Sequence, residues 1–301
     1  MLDKFLKNGW LDLGQTLNRE NCEKISSELL NSRPWDETVF REYTDVFNTK
    51  RHLNVTPSKG GYNLAEKFDL SFIEENHLLN DILNEILGEN YEIILKKFVV
   101  SAPQSMMPKW LIPIVDKKLD GNLAQYIKPQ YRDISYFSGI DYHMDLLDYA
   151  NFNGDYVTIY IYLTDVNNDQ SPLNLISASH KYGATFFPHF LKLSKNKNKI
   201  LYSKNGKNFD EFDKVKLVSK AGRIYLWSAL TLHGTLKSLN SSPRVALRYS
   251  IKKNNINNKK KYLIDDLYKG LEIRLDHKTR TDVTIKSDQS IKYSQNKRFL
   301  V

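Results

Sequence analysis

Residues 155–166 read DYVTIYIYLTDV. β-branched and aromatic side chains fill this run, and that composition is typical of a β-strand. The same texture recurs on both sides, where we predict strands at residues 91–101, 122–127, 134–137, 174–176, 214–218, 222–227 and 244–251. Several short strands with turn residues between them indicate an antiparallel sandwich or barrel.

The chain before these strands is predicted to contain helices. A short strand at residues 8–14 is followed by Asn18, which suits the capping position of a helix extending to about residue 31. A second helix has its apolar residues on one stripe between positions 78 and 87 and ends at Gly88. We therefore expect helices to flank a mainly β core.

The sequence contains no internal repeat and no clear linker, and residues 185–213 are interpreted as an insertion between strands. A chain of this length is compatible with one β domain. We expect a single domain over residues 1–301, comprising a helical part at about 1–90, a β core at about 91–255 and a basic C-terminal extension at about 256–301.

Charge and cysteine content narrow the classes of function. The chain has 44 Lys and Arg against 35 Asp and Glu, but much of the excess lies in Lys- and Asn-rich runs such as 195–199 and 252–261. No nucleic-acid-binding motif accompanies these runs, so we expect solvated loops rather than a nucleic-acid site. The single Cys22 and the lack of a long apolar run favour a cytoplasmic protein without membrane contact.

Residues 141–148, DYHMDLLD, carry the main candidate for chemistry. On an extended segment His143 and Asp145 project from the same face and can bind one metal ion together. A His-x-Asp tripeptide is common by chance, so the supporting observation is His233, which follows a predicted strand ninety residues after His143. Two His and one carboxylate are the ligands of non-haem Fe(II) oxygenases, and they leave coordination positions open.

Arg244 follows His233 by eleven residues and shares a predicted strand face with Arg248. A planar guanidinium binds a carboxylate through two parallel hydrogen bonds. The far carboxylate of 2-oxoglutarate needs such a partner, and Arg244 is the candidate. Arg248 is interpreted as a cation of the pocket or of the framework.

These motifs, in this order and spacing, resemble the phytanoyl-CoA dioxygenase family. The resemblance extends from the opening strand and helix to about residue 251 and includes the HMD tripeptide, the strand at 155–166, the segment SPLNLISASHK at 171–181 and the stretch from His233 to Arg244. The chain departs from the family pattern at four positions, none of them a candidate ligand. They are Tyr142, Met144, Ser171 and Ser177.

The resemblance implies a double-stranded β-helix, the cupin-like jelly roll, with flanking N-terminal helices. It implies an Fe(II) and 2-oxoglutarate-dependent dioxygenase that uses O2, hydroxylates or otherwise oxidises a small organic molecule, and releases succinate and CO2. The implied iron ligands are His143, Asp145 and His233. The residues expected to contact the cosubstrate are Arg244, Tyr160 and Thr158.

The substrate is not identified by these motifs. Candidate substrate contacts are Arg248, Asp148, Tyr149 and His189. The net charge of +9 favours an anionic substrate, although compositional bias explains the same lysines equally well. Two other classes stay open: a cupin-like metalloprotein that does not use 2-oxoglutarate, and a non-enzymatic binding module. The sequence gives no indication of the oligomeric state.

Overall fold

The computed structural model describes residues 1–48, 63–147, 153–253, 261–275, 281, 283–285 and 291–293. Its helices are α1 (Leu2–Asn8), α2 (Arg19–Asn31), α3 (Tyr43–Asn48), α4 (Ser71–Glu74), α5 (His77–Leu87), α6 (Ile112–Val115) and α7 (Leu263–Leu267). Its strands begin with β1 (Trp10–Gln15), β2 (Glu92–Ser101), β3 (Asp120–Asn122), β4 (Ser135–His143), β5 (Tyr156–Tyr162), β6 (Leu173–Ile176) and β7 (Phe190–Leu193). They continue with β8 (Lys199–Ser203), β9 (Asp210–Leu217), β10 (Arg223–Ser228), β11 (His233–Thr235), β12 (Arg244–Lys252), β13 (Val283–Ile285) and β14 (Ile291–Tyr293).

The strands build two mainly antiparallel halves. The first has the order β1-β10-β5-β12-β2 and the second the order β4-β11-β6-β9-β8-β7, with β3 beside β4. A short parallel pairing of β2 with β4 joins the halves. Along the chain, β2, β4, β5 and β6 alternate between the halves, as do β9, β10, β11 and β12. This alternation is the jelly-roll topology, so the expected fold is confirmed.

The first half is covered on both faces. Tyr160, Tyr162, Tyr225 and Trp227 pack together on its inner face, which looks toward the second half. Intervening side chains such as Ile159 belong to a different cluster, which also contains the apolar stripes of α2 and α5. Because both faces are buried, the strand at 155–166 has an almost continuous apolar composition instead of a polar face.

The two predicted helices are present, with the expected ends. Asn18 caps α2 by accepting hydrogen bonds from the backbone N–H groups of Glu20 and Asn21. Asn76 caps α5 in the same way, and α5 ends at Gly88. Within the part of the chain that the structure describes, none of the helices has the length and apolar content needed to cross a membrane.

One local prediction is wrong, and two local features were not predicted. The predicted strand at 122–127 is wrong, because the Asn122 side chain accepts a hydrogen bond from the Ala124 N–H and turns the chain into a 3-10 segment. The helix α1, which we did not predict, is only seven residues long and ends at Gly9. The insertion at 185–213 contains β7, β8 and the first residues of β9, which form an antiparallel extension of the second half.

Candidate metal centre

The three candidate ligands meet between the two halves of the jelly roll. His143 ends β4, His233 begins β11, and the two residues are register partners in that antiparallel pair. Asp145 lies in the 3-10 turn that directly follows β4. The candidate donor atoms of the three side chains lie within 4.8 Å of one another, and all three side chains are buried. Strand pairing therefore brings together His143 and His233, which are ninety residues apart in the sequence.

Hydrogen bonds fix the orientation of both imidazoles. Nδ1 of His143 lies 3.1 Å from the carbonyl oxygen of Asp141, and Nδ1 of His233 lies 3.0 Å from the carbonyl oxygen of Thr231. Each ring thus donates its Nδ1–H to a backbone carbonyl, and the lone pair of Nε2 stays available for a metal ion. Burial, together with the neighbouring His233, holds the pKa of His143 well below its usual value, which favours the neutral form that binds metals.

The Asp145 carboxylate accepts hydrogen bonds from three side chains of the opposite half. Its Oδ2 accepts from the Thr158 hydroxyl and from Trp227 Nε1 at 3.0 Å, while its Oδ1 accepts from Arg248 at 2.7 Å. Burial alone would raise the pKa of Asp145, but the positive charge of Arg248 and the contact with His233 outweigh it and lower this pKa strongly. Asp145 is therefore held as an oriented carboxylate anion.

The donor set fits a divalent iron ion. Two neutral imidazole nitrogens and one carboxylate oxygen are the ligands of the facial triad of non-haem iron proteins. Oδ1 of Asp145 lies 3.4 Å from Nε2 of His233, so the donor atoms face a common point. The second atom of each side chain is already engaged by protein groups, and such outer contacts orient metal ligands.

Arg244 lies on the inner face of β12 and is only 2% exposed. Its guanidinium donates to the carbonyl oxygen of Ser171 at 2.6 Å and to the hydroxyl of Tyr160 at 2.9 Å. The rings of Tyr160 and Tyr162 lie 5.6 and 5.7 Å from the guanidinium carbon. Among the described residues no carboxylate pairs with Arg244, and its Nε has no hydrogen-bond partner. The structure thus provides a fixed, buried cation.

Lys97 is a second buried cation, and the sequence analysis missed it. It lies on β2 as the register partner of Arg248, on the same inner face as Val99, and is 3% exposed. Its Nζ has no hydrogen-bond partner in the described ranges. Burial lowers its pKa to about 8, although Asp133 opposes this shift. Strand alternation was the available signal, since a lysine two residues before Val99 must share its face.

The remaining candidates lie elsewhere or outside the described residues. Thr158 and Arg248, which we expected to contact cosubstrate and substrate, hold Asp145 in this structure. His189 is buried, and its Nδ1 lies 2.8 Å from the hydroxyl of Thr185. It lies in the wall of a cavity of about 430 Å³ that is lined by the segment 184–190, the end of β8 and residues that follow α7. Asp148 and Tyr149 fall on residues that the structure does not describe.

A jelly roll that brings two His and one carboxylate together between its sheets belongs to the class of non-haem iron oxygenase-type proteins. The family model described as "Phytanoyl-CoA dioxygenase (PhyH)" matches residues 5–246. The chain is a member of the phytanoyl-CoA dioxygenase family, as the resemblance in sequence suggested, and this membership indicates an enzyme of the Fe(II) and 2-oxoglutarate-dependent type.

Solved structures of other proteins show distant similarity. The non-heme monooxygenase ThoJ is 13% identical, with 84% of this chain and 76% of that chain covered and a TM-score of 0.47. SnoN, the non-heme alpha-ketoglutarate-dependent epimerase from nogalamycin biosynthesis, is 12% identical over 84% and 81% of the two chains, with a TM-score of 0.47. EvdO2 from Micromonospora carbonacea var. aurantiaca is 11% identical over 84% and 89%, with a TM-score of 0.48. No curated protein matches the sequence significantly.

Proposed function

We propose that this protein is an Fe(II) and 2-oxoglutarate-dependent dioxygenase that oxidises a small organic substrate. The observation that carries the proposal is the preformed donor set, in which His143, Asp145 and His233 face a common point and each is oriented by hydrogen bonds from the protein. Iron bound there, with O2 and 2-oxoglutarate, would supply the oxidising chemistry that releases succinate and CO2.

The roles of the ligand residues follow from their contacts. His143 and His233 would each bind the metal through Nε2, because Nδ1 is committed to a backbone carbonyl. Asp145 would bind through Oδ1, because this oxygen lies 3.4 Å from His233 Nε2 and accepts one hydrogen bond, from Arg248, whereas Oδ2 accepts two, from Thr158 and Trp227. Arg248 compensates the negative charge that Asp145 would otherwise bury without a partner.

The two buried cations support binding of a dicarboxylate. Lys97 and Arg244 lie on the same inner face, because Arg248 and Arg244 of β12 pair with Lys97 and Ser101 of β2. Burying a charge without a counter-ion is costly. Among the described residues Arg244 forms no ion pair with a carboxylate and Lys97 Nζ has no hydrogen-bond partner, although the charge of Asp133 acts on Lys97. We assign Arg244 to the distal carboxylate of 2-oxoglutarate, with the Tyr160 hydroxyl beside it, and Lys97 to the cosubstrate pocket as a second positive charge.

The metal assignment is tested by iron binding. His143→Ala, Asp145→Ala and His233→Ala should each weaken Fe(II) affinity strongly, measured by anaerobic equilibrium titration on folded protein. His77→Ala and Asp81→Ala serve as matched controls, because both residues are exposed on α5 and far along the chain from the ligands. Affinity equal to that of the unsubstituted protein in all three ligand variants would refute the assignment.

The reaction class is tested by the cosubstrate. The iron-loaded protein should consume 2-oxoglutarate and O2 and form succinate, and these rates should rise when a substrate is present. A cupin-like metalloprotein that does not use 2-oxoglutarate would bind iron at the same ligands and form no succinate. Loss of succinate formation in Arg244→Ala with iron still bound would separate the role of this cation from that of the metal ligands.

A further inference from the structure

The short connection between β10 and β11, residues 229–232, is bonded directly to two of the three candidate metal ligands. The carbonyl oxygen of Ala229 accepts a hydrogen bond from the Asp145 N–H at 3.1 Å. The carbonyl oxygen of Thr231 accepts the hydrogen bond from Nδ1 of His233 at 3.0 Å. The position of the β10–β11 connection therefore determines where the Asp145 backbone and the His233 ring are held.

A hydroxyl group from the C-terminal part of the chain holds the start of this connection. Tyr268, which directly follows α7, donates its hydroxyl to Oγ of Ser228 at 3.0 Å, and this Oγ accepts from the Leu230 N–H at 3.1 Å. Tyr268 is 7% exposed and Ser228 is fully buried. Burial, together with the negative charges of Asp155 and Asp145, raises the pKa of Tyr268, so its hydroxyl stays protonated and remains a donor.

The C-terminal segment that carries Tyr268, residues 261–275, is itself bonded to the surrounding chain. The Glu272 carbonyl oxygen accepts a hydrogen bond from the Ala184 N–H at 2.7 Å. The Ile273 carbonyl oxygen accepts one from the Gly154 N–H, also at 2.7 Å. A Cβ at residue 154 would lie 2.9 Å from that oxygen, so this approach needs glycine. The C-terminal segment therefore presents the Tyr268 hydroxyl from a fixed backbone.

The C-terminal segment lies beyond the residues that define the family, because the family match ends at residue 246. We propose that Tyr268 is a positioning residue for Asp145 and His233, which acts through Ser228 by fixing the β10–β11 connection. Small displacements of this connection matter because metal ligands must be held within about 0.5 Å of their productive geometry. The effect of Tyr268 on metal binding rests on the proposed function, whereas its effect on the Asp145 backbone does not.

The first test uses the metal-free full chain. Tyr268→Phe removes only the hydroxyl and keeps the packed ring, so the Asp145 N–H should exchange its hydrogen about fivefold faster than in the unsubstituted protein, measured by NMR on 15N-labelled protein. Tyr91→Phe is the matched control, because it also removes a tyrosine hydroxyl hydrogen bond, to Asn80 at 3.0 Å, but leaves the β10–β11 connection intact. Exchange of the Asp145 N–H should be unchanged in this control.

The second test adds metal. Tyr268→Phe should lower Fe(II) affinity by about 3- to 10-fold in anaerobic titration, less than the roughly 10- to 100-fold typical of groups that contact a ligand directly. With Co(II) as the probe, the visible absorption bands report ligand geometry and should shift in Tyr268→Phe but not in Tyr91→Phe. In a Ser228→Ala background, Tyr268→Phe should change Fe(II) affinity by less than about twofold, because its partner is already absent.

The outcomes separate this inference from the proposed function. Asp145 exchange or Fe(II) affinity that is equal in Tyr268→Phe and Tyr91→Phe would overturn the role of Tyr268. A full effect of Tyr268→Phe in the Ser228→Ala background would overturn it as well, because the effect would not pass through Ser228. Failure of the unsubstituted protein to bind any Fe(II) would refute the proposed function, and the exchange of the Asp145 N–H would then decide the role of Tyr268 alone.

Discussion

Replacing Lys97 by Met should stabilise the protein and weaken cosubstrate binding at the same time. The Lys97 ammonium is buried, and its pKa falls from 10.5 to about 8. At about 1.4 kcal/mol for each pH unit, this shift corresponds to about 3 kcal/mol of unfavourable burial at pH 7. Met fills similar volume without charge, so Lys97→Met should raise the free energy of unfolding by up to about 3 kcal/mol.

The stability difference between Lys97→Met and the unsubstituted protein should change with pH in a defined direction. Below pH 8 the folded protein carries the full cost of the Lys97 ammonium. Between pH 8 and 10.5 the unfolded chain binds more protons at this residue than the folded protein does, so the contribution of Lys97 to stability rises with pH. The advantage of Lys97→Met should therefore shrink by about 2 kcal/mol between pH 7 and pH 9.5.

Denaturant unfolding of both proteins at the two pH values measures this difference. Lys109→Met, at an exposed position, is the matched control and should show neither effect. In anaerobic titrations, the affinity of the unsubstituted protein for 2-oxoglutarate should fall above pH 8, and Lys97→Arg should remove this pH dependence because Arg stays charged. Loss of stability in Lys97→Met at pH 7, or a difference that does not change with pH, would refute the reasoning.

Three further substitutions test other contacts. Arg244→Ala should weaken 2-oxoglutarate binding by roughly 30-fold or more while Fe(II) affinity is retained, and unchanged cosubstrate affinity would exclude its role. Trp227→Phe removes one donor to Asp145 but keeps an aromatic ring, so Fe(II) affinity should fall by about 10- to 100-fold in equilibrium titration. Gly9→Ala should lower the free energy of unfolding by about 2 kcal/mol more than Gly14→Ala: both glycines have positive φ, but only at Gly9 would a Cβ overlap other side chains. Equal losses of unfolding free energy in the two variants would show that the positive φ alone determines the cost of each substitution.

The local features of the fold were predictable because short-range chemistry determines them. The helix from Asn18 has its cap, its apolar stripe and its end within fourteen residues, and the structure reproduces all three. The strand at 155–166 was recognisable because β-branched and aromatic residues fill it on both faces. The error at 122–127 also has a local origin, since a single hydrogen bond from the Ala124 N–H to the Asn122 side chain redirects the chain.

The cavity at the insertion of residues 185–213 was not predicted, although the insertion itself was. Its lining comes from the segment 184–190, from the end of β8 and from residues beyond α7, so that the most distant lining residues, Ala184 and Thr281, are 97 positions apart. No short motif records that these segments meet. His189 was a candidate because of its residue type, but its hydrogen bond with Thr185 is a product of the folded chain.

The apolar pattern by itself indicated an antiparallel β fold, and the resemblance of the sequence motifs to a known family implied the jelly roll and the candidate ligands His143, Asp145 and His233. Only the tertiary structure decided which other groups act on that triad. Arg248 reaches Asp145, and Lys97 lies buried beside Arg248, because strand register brings β2, β12 and the second half together. Burial and charge pairing depend on neighbours that are distant in the chain, and a residue's own sequence context does not specify them.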